Sequence, residues 1–177
     1  MQLPLEMPDT DRLILRPFAA GDVDEFLSIW GDPEVIWWGA AATDRDTAAS
    51  GLTSLVDRID GMPEGMGWWW LDLRDTGETV GDVNIQPAPD PPGGVEIGWH
   101  LARAHWGNGY ATEGAARMIE RAWEIGLDEV IATIVPINGR SVRVAERLGM
   151  VRRGPVVPRG NLAHGIWVIE RPSAWPG

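Results

Sequence analysis

Residues 12–18, RLILRPF, alternate apolar and polar side chains with the period of a half-buried strand, and Pro17 places the end of that strand near an edge or a turn. Beyond Gly21 the period lengthens. In VDEFLSIW, residues 23–30, Val23, Phe26, Leu27 and Trp30 fall on one face of a helix, with Asp22 in the N-cap position and Asp32-Pro33 stopping the run. A second helix is predicted over residues 46–59, with Ala48, Leu52, Leu55, Val56 and Ile59 as its apolar stripe. Between the helices, EVIWWGAAA at residues 34–42 reads as a turn carrying Trp37 and Trp38, which serve either as core staples or as the wall of a pocket.

Period two then returns. Residues 68–74, WWWLDLR, and 79–86, TVGDVNIQ, flank a turn at residues 75–78 and predict an antiparallel hairpin. Successive side chains on a strand point to opposite faces, so at least one of the three tryptophans must meet a different layer from its neighbours. The run PAPDPPGG, residues 87–94, is a loop; residues 94–101 form the next strand, in which Gly98 marks a bulge or a close approach to the backbone. A helix is predicted over residues 111–125, with Ala115, Met118, Ile119 and Ala122 inward and Gly126 as its C′ stop. Residues 129–135, EVIATIV, suit a short buried strand, and a further helix runs from Asn138 or Gly139 through Leu148 to a stop at Gly149. Residues 151–157 and 165–170 close the chain as a pair of strands. The predicted class is a mixed α/β sheet with short connections.

Composition narrows the chemistry. A chain of 177 residues is one domain's worth and buries roughly two thirds of its unfolded surface. The absence of cysteine excludes disulfides, thiolate metal sites and a cysteine nucleophile, and the three histidines are not paired at ligand spacing, so no metal is expected. The opening MQLPLEMPDTDR lacks a basic leader and no apolar run reaches the roughly 20 residues that span a bilayer, which reads as a soluble cytoplasmic protein without a membrane partner. The net charge is −11 and all 15 basic residues are arginine, a balance that disfavours nucleic acid. Residues 22–96 carry sixteen acids against three arginines, whereas residues 139–159 carry six arginines against Glu146 alone.

The stretch WHLARAHWGNGYATE, residues 99–113, reads as strand, glycine turn and helix start. A helix start leaves backbone N–H groups unpaired and carries partial positive charge, and Gly107 and Gly109 beside it would let a phosphate approach the main chain. A glycine turn with no ligand is the equally simple reading. The lysine of a triphosphate loop and the G-x-G-x-x-G of a dinucleotide fold are both missing.

The run WGNGYA, residues 106–111, resembles the acyl-CoA pyrophosphate loop of the GNAT superfamily of N-acetyltransferases, Gln/Arg-x-x-Gly-x-Gly/Ala; Gly109 and Ala111 match, and Trp106 departs from the first position. That tryptophan followed by YATE is usual in the branch resembling the ribosomal-protein N-terminal acetyltransferases. A second run, NGRSVRVAERLGM at residues 138–150, resembles the family segment Asn-x-x-Ser/Ala with Gly-aromatic after it: Asn138, Ser141 and Gly149 match, and Met150 replaces the aromatic. The resemblance spans nearly the whole chain and implies the GNAT fold, a mixed and largely antiparallel sheet flanked by helices. It also implies acetyl-CoA as co-substrate, held by Gly107, Asn108, Gly109, Tyr110, Ala111 and Thr112 at the pyrophosphate, by Asn138, and by the backbone of Leu101 along the pantetheine arm.

Many GNAT enzymes place a tyrosine acid seven residues after the asparagine; here that residue is Ala145, and Ser141 is the nearest hydroxyl, either a hydrogen-bond donor to the cofactor sulfur or a first-turn cap. A thiolate of pKa about 8 to 9 leaves without a dedicated acid. The amine must lose a proton before attack, and Glu96, on the strand leading to the loop, resembles the glutamate this branch carries there. Its other reading is a solvated surface carboxylate. His100 shares a face with Glu96 and Gly98 and is a second base, with an unperturbed pKa of about 6.5.

The leading expectation is direct transfer of an acetyl group from acetyl-CoA to an amine in a ternary complex. The charge asymmetry favours a cationic acceptor: a protein N-terminus, a polyamine or an aminoglycoside-like amine, the last because VIWWG at residues 35–39 resembles a loop of aminoglycoside N-acetyltransferases. The runner-up is a non-catalytic acyl-CoA sensor, and a third reading makes the tryptophans a partner surface. The sequence leaves a homodimer open.

Overall fold

The computed structural model describes residues 9–37, 39, 41–89, 93–159 and 161–175. Residues 1–8 of the opening segment read for a leader, Trp38 and residues 90–92 of the proline-rich loop lie outside the described residues. The elements are β1 (Leu13–Pro17), α1 (Val23–Trp30), α2 (Arg45–Asp60), β2 (Gly67–Leu73), β3 (Thr79–Pro87), β4 (Val95–Leu101), α3 (Tyr110–Glu124), β5 (Glu129–Ile134), α4 (Gly139–Arg147), β6 (Val151–Arg159) and β7 (Leu162–Glu170), in the predicted order. A short 3-10 turn, Arg103–His105, adds to the connection before α3. The seven strands form one sheet in the order β1-β2-β3-β4-β5-β7-β6, antiparallel throughout except where β4 lies parallel to β5.

The pleat divides the tryptophans as the alternation requires. Trp69 joins Leu71, Val83, Ile85 and Ile97 in the core under α3 and α4, while Trp68 and Trp70 point to the other face and pack with Phe18, Phe26, Ile29 and Leu52 under α1 and α2. Trp70 is fully buried, its ring stacks on Phe18 at 3.8 Å, and its indole N–H donates to Asp22 at 2.8 Å. Asp22 therefore does not cap α1 through its side chain as expected: its carboxylate accepts from Arg16, from the Ala19 amide and from Trp70. The capping box stands instead at α2, where Asp44 and Thr47 bond reciprocally.

The α1 stripe is centred on Phe26 and Ile29, and the pattern reading passed over Ile29. Gly98 carries no bulge. The register of β3 against β4 is continuous from Gly81↔Leu101 to Pro87↔Val95, and the irregularity falls between Leu71 and Asp72 on β2. Of the two readings of Gly98, the close approach holds, and the approaching group is the Asn84 side chain.

Removing the Trp70 ring leaves a cavity and takes one of three donors from the Asp22 carboxylate, so Trp70→Ala is expected to cost about 3–5 kcal/mol in urea unfolding. Trp37→Ala, at a side chain 39% exposed, is expected to cost under about 1 kcal/mol.

Candidate active site

Strands β4 and β5 pair in parallel register at Glu96↔Ile131, and beyond that point both line a cavity of about 740 Å³. Its walls run from the start of α3 and one face of α4 to the loop after α1 and the middle of β3. A cleft of that size takes a ligand as large as a cofactor.

One end suits an anion. Gly107 and Gly109 hold left-handed φ of 85° and 83°, which a residue with a Cβ adopts only with strain. Helix α3 begins directly behind Gly109 with no side-chain cap, so its first amides are left for a ligand, and Gly107, Gly109, Ala111 and Thr112 line the cavity. The buried Thr112 hydroxyl has no protein partner. Asn108 and Tyr110 belong to the same loop, but their side chains turn to it and not to the cavity: the Asn108 amide donates to the His105 carbonyl, and the Tyr110 ring lies under Arg12. Arg140, Arg143 and Arg147, spaced along one face of α4, line the same wall.

Trp106, the departure from the family pattern, has a structural role. Its indole donates to the Leu101 carbonyl at 2.9 Å, and the Arg140 guanidinium lies 3.7 Å over its ring. The Leu101 carbonyl therefore already has one donor where the end of β4 meets the loop.

A clamp on this loop was invisible in the sequence. Arg12, just before β1, donates through its guanidinium to the Asn108 carbonyl and to Glu113 Oε2, while Glu113 Oε1 accepts from the Thr10 hydroxyl and from the Arg12 amide. Burial alone would raise the Glu113 pKa, but the hydrogen bonds from Thr10 and Arg12 and the Arg12 charge outweigh it and hold the carboxyl below its usual range. About a hundred residues separate the partners; the glutamate of YATE was the only available signal.

The other end carries proton-transfer groups. Glu96 is buried on β4, and its Oε1 accepts from the Thr133 amide and hydroxyl across the β4–β5 junction. It is thus a fixed carboxylate within the cavity wall, not a solvated surface group. His100 lines the same wall and places Nδ1 3.0 Å from Asp82, which is fully buried and also accepts from the Trp30 indole. The sequence reading named His100 but missed Asp82, because their pairing depends on the β3–β4 register, Asp82↔His100. Asn138 caps α4 by accepting from the Ser141 amide, which removes the capping role considered for Ser141; both line the cavity. Ala145 is fully buried in the core.

The two halves of the charge asymmetry differ in outcome. The α4 arginines face the cavity, but among the described acids of residues 22–96 only Glu34 and Glu96 line it, and Glu34 is paired with Arg103. The wall on that side is aromatic, formed by Trp30, Trp37 and Trp68. No group of three or more His, Asp or Glu side chains suited to a metal occurs among the described residues. No helix among them is long and apolar enough to cross a membrane.

Comparison with known proteins agrees with this geometry. Residues 12–151 match the family model described as "Acetyltransferase (GNAT) domain". YnaD of Bacillus subtilis (strain 168), named an uncharacterised N-acetyltransferase, is 39% identical over 158 residues, covering 86% of this chain and 88% of YnaD. An acetyltransferase from Agrobacterium tumefaciens superposes with a TM-score of 0.78 at 27% identity, covering 97% of this chain and 98% of the other. The fold is also that of RimL, a ribosomal L7/L12 alpha-N-protein acetyltransferase solved with coenzyme A, at a TM-score of 0.72 and 14% identity, covering 93% and 97% of the two chains.

Two outcomes follow for the loop. Gly109→Val forces a β-branched side chain into left-handed backbone at the anion end, and calorimetry is expected to show loss of CoA binding in a protein that still folds. For Glu113, a folded-state pKa below the unfolded one means its stabilisation is complete at neutral pH and is lost as pH falls through the folded value, below about 4.3. Urea unfolding of Glu113→Gln is expected to show a deficit that is constant near neutrality and shrinks as pH falls below the ordinary carboxylate range.

Proposed function

We propose that this chain, which belongs to the GNAT family of acetyltransferases and is an N-acetyltransferase, moves an acetyl group from acetyl-CoA to a primary amine by direct attack with both substrates bound, as a single cytoplasmic domain. The observation that carries this is one cavity with an anion cradle at one end and a fixed carboxylate at the other, the carboxylate standing at the point where β4 and β5 part. Acetyl-CoA, when bound, supplies the thioester that the amine attacks. The residues present fit it: left-handed glycines, an uncapped helix start and an unpartnered Thr112 hydroxyl for the pyrophosphate, with three arginines beside them.

Glu96 takes the proton from the acceptor ammonium, directly or through water. Thr133 fixes the orientation of its carboxylate. Direct attack needs no nucleophile from the protein, in keeping with a chain that has no cysteine. The acceptor enters against Trp30, Trp37 and Trp68, where the Trp68 ring already carries the Arg58 guanidinium and the Trp30 ring is stacked on Phe26, so the wall on that side is aromatic more than acidic. A protein N-terminus and a small cationic amine both satisfy that chemistry, and the RimL likeness is one of fold.

A specific observation supports a second assignment of the base. Asp82 lies 3.0 Å from His100 Nδ1, and in the tautomer that carries its proton on Nδ1 the other ring nitrogen is the accepting one.

The test is thiol release from acetyl-CoA with a panel of amines. Glu96→Gln is expected to lower turnover by about 10² or more with CoA affinity unchanged. If His100→Gln does so and Glu96→Gln does not, the base is His100. CoA binding without acetylation of any amine would make the chain a sensor.

A further inference from the structure

The face of the sheet that carries Trp68 and Trp70 should be apolar under α1 and α2, yet at β3 and β4 it holds a file of polar pairs. Gln86 lies opposite Glu96, Asn84 opposite Gly98, and Asp82 opposite His100. The middle pair differs from the other two. Asn84 is 2% exposed and lines the cavity, and its Oδ1 has no hydrogen-bond partner. A buried carbonyl oxygen left unpaired is destabilising, so an orphan of this kind requires an explanation.

The surroundings show that the carboxamide is accommodated by design of the neighbouring strand. A Cβ at position 98 would sit 2.6 Å from Asn84 Nδ2 and 3.1 Å from Oδ1, so the carboxamide lies flat over β4 only because residue 98 is glycine. Trp68 stands opposite Asn84 on β2. Glu96 and His100 are its diagonal neighbours on β4, within reach of a small group placed between them. Asn84 thus sits midway between the two proton acceptors.

We infer that Asn84 is a binding residue for the acceptor, its Oδ1 accepting a hydrogen bond from the attacking primary amine. The inference rests on the transferase reading above. A primary ammonium has three N–H bonds: one proton passes to Glu96 or His100, a second N–H is held by Asn84, and the lone pair released by deprotonation turns toward the thioester. Substrates with a nitrogen rich in N–H groups are matched to an acceptor at this position; esters and alcohols are not.

Asn84→Leu keeps the branching and the heavy-atom count of the side chain and removes the polar atoms. It is expected to be as stable as the parent or more so, because the orphan is gone, while the KM of the amine rises about tenfold to a hundredfold and the KM of acetyl-CoA stays within about twofold. Asn84→Ala gives the same KM split if leucine does not fit. The probes are triglycine, spermidine and kanamycin. Unchanged amine KM in a folded variant overturns the inference, and so does a large loss of stability in both variants, which would make Asn84 a structural residue. If the unsubstituted chain acetylates none of the probes, the transferase reading is what fails. The stability arm still decides whether Asn84 is held for a ligand.

Discussion

A strand in the middle of a sheet must place each backbone N–H and C=O against a partner, and among the described residues β4 and β5 do so toward each other only at Glu96↔Ile131. Every other junction is a continuous antiparallel ladder or one broken by a local irregularity. The parting at the centre cannot be closed by sliding β5, because β7 pairs with it along Glu129–Ile134 and β3 holds β4 along its whole length. The cavity is therefore a consequence of sheet connectivity. It exposes main-chain polar groups at the positions where a ligand with amide groups of its own would complete the ladder.

The same constraint explains why the flanking elements carry so much polar chemistry for a buried location. Glu96 is placed where the strands last touch, and Thr133 on β5 binds it from across the gap. At the far end, Trp106 and Arg12 brace the loop between β4 and α3 from opposite sides, the first against the Leu101 carbonyl and the second against the Asn108 carbonyl. Both contacts hold carbonyls, and the first amides of α3 are left without a side-chain cap. A rigid loop matters because an anion site made of backbone dipoles is useful only if they are already aligned when the anion arrives.

Much of the fold was legible because period decides it. The alternation in WWWLDLR required the tryptophans to split between layers, and Trp69 does face away from Trp68 and Trp70. Helix limits came from Asp, Gly and Pro whose backbone preferences are local. What escaped the reading is pairwise and distant. Arg12 and Glu113 lie on different elements, Asp82 meets His100 only once the β3–β4 register is set, and Asp22 gives up its cap because Arg16 and Trp70 are stronger partners in a buried place. The charge asymmetry is not carried into the cavity lining on the acceptor side for a related reason: net charge along a segment does not say which face of a helix or strand bears it, and among the described acids of residues 22–96 only Glu34 and Glu96 line the cavity.

That distinction separates the two ends of the site physically. The glycine-loop end is built of oriented groups, the first amides of α3, the α4 arginines and the Thr112 hydroxyl, whose attraction for an anion would be weakened together by salt. The acceptor end is walled by aromatic rings and holds a few buried polar atoms, Glu96, His100 with Asp82, and Asn84. In a low-dielectric wall each polar atom without its partner is costly, so a nitrogen that satisfies them is discriminated sharply from one that cannot. The two ends thus differ physically within one cavity, oriented backbone and arginines at one and aromatic rings with a few buried polar atoms at the other, and the split between β4 and β5 is what joins them.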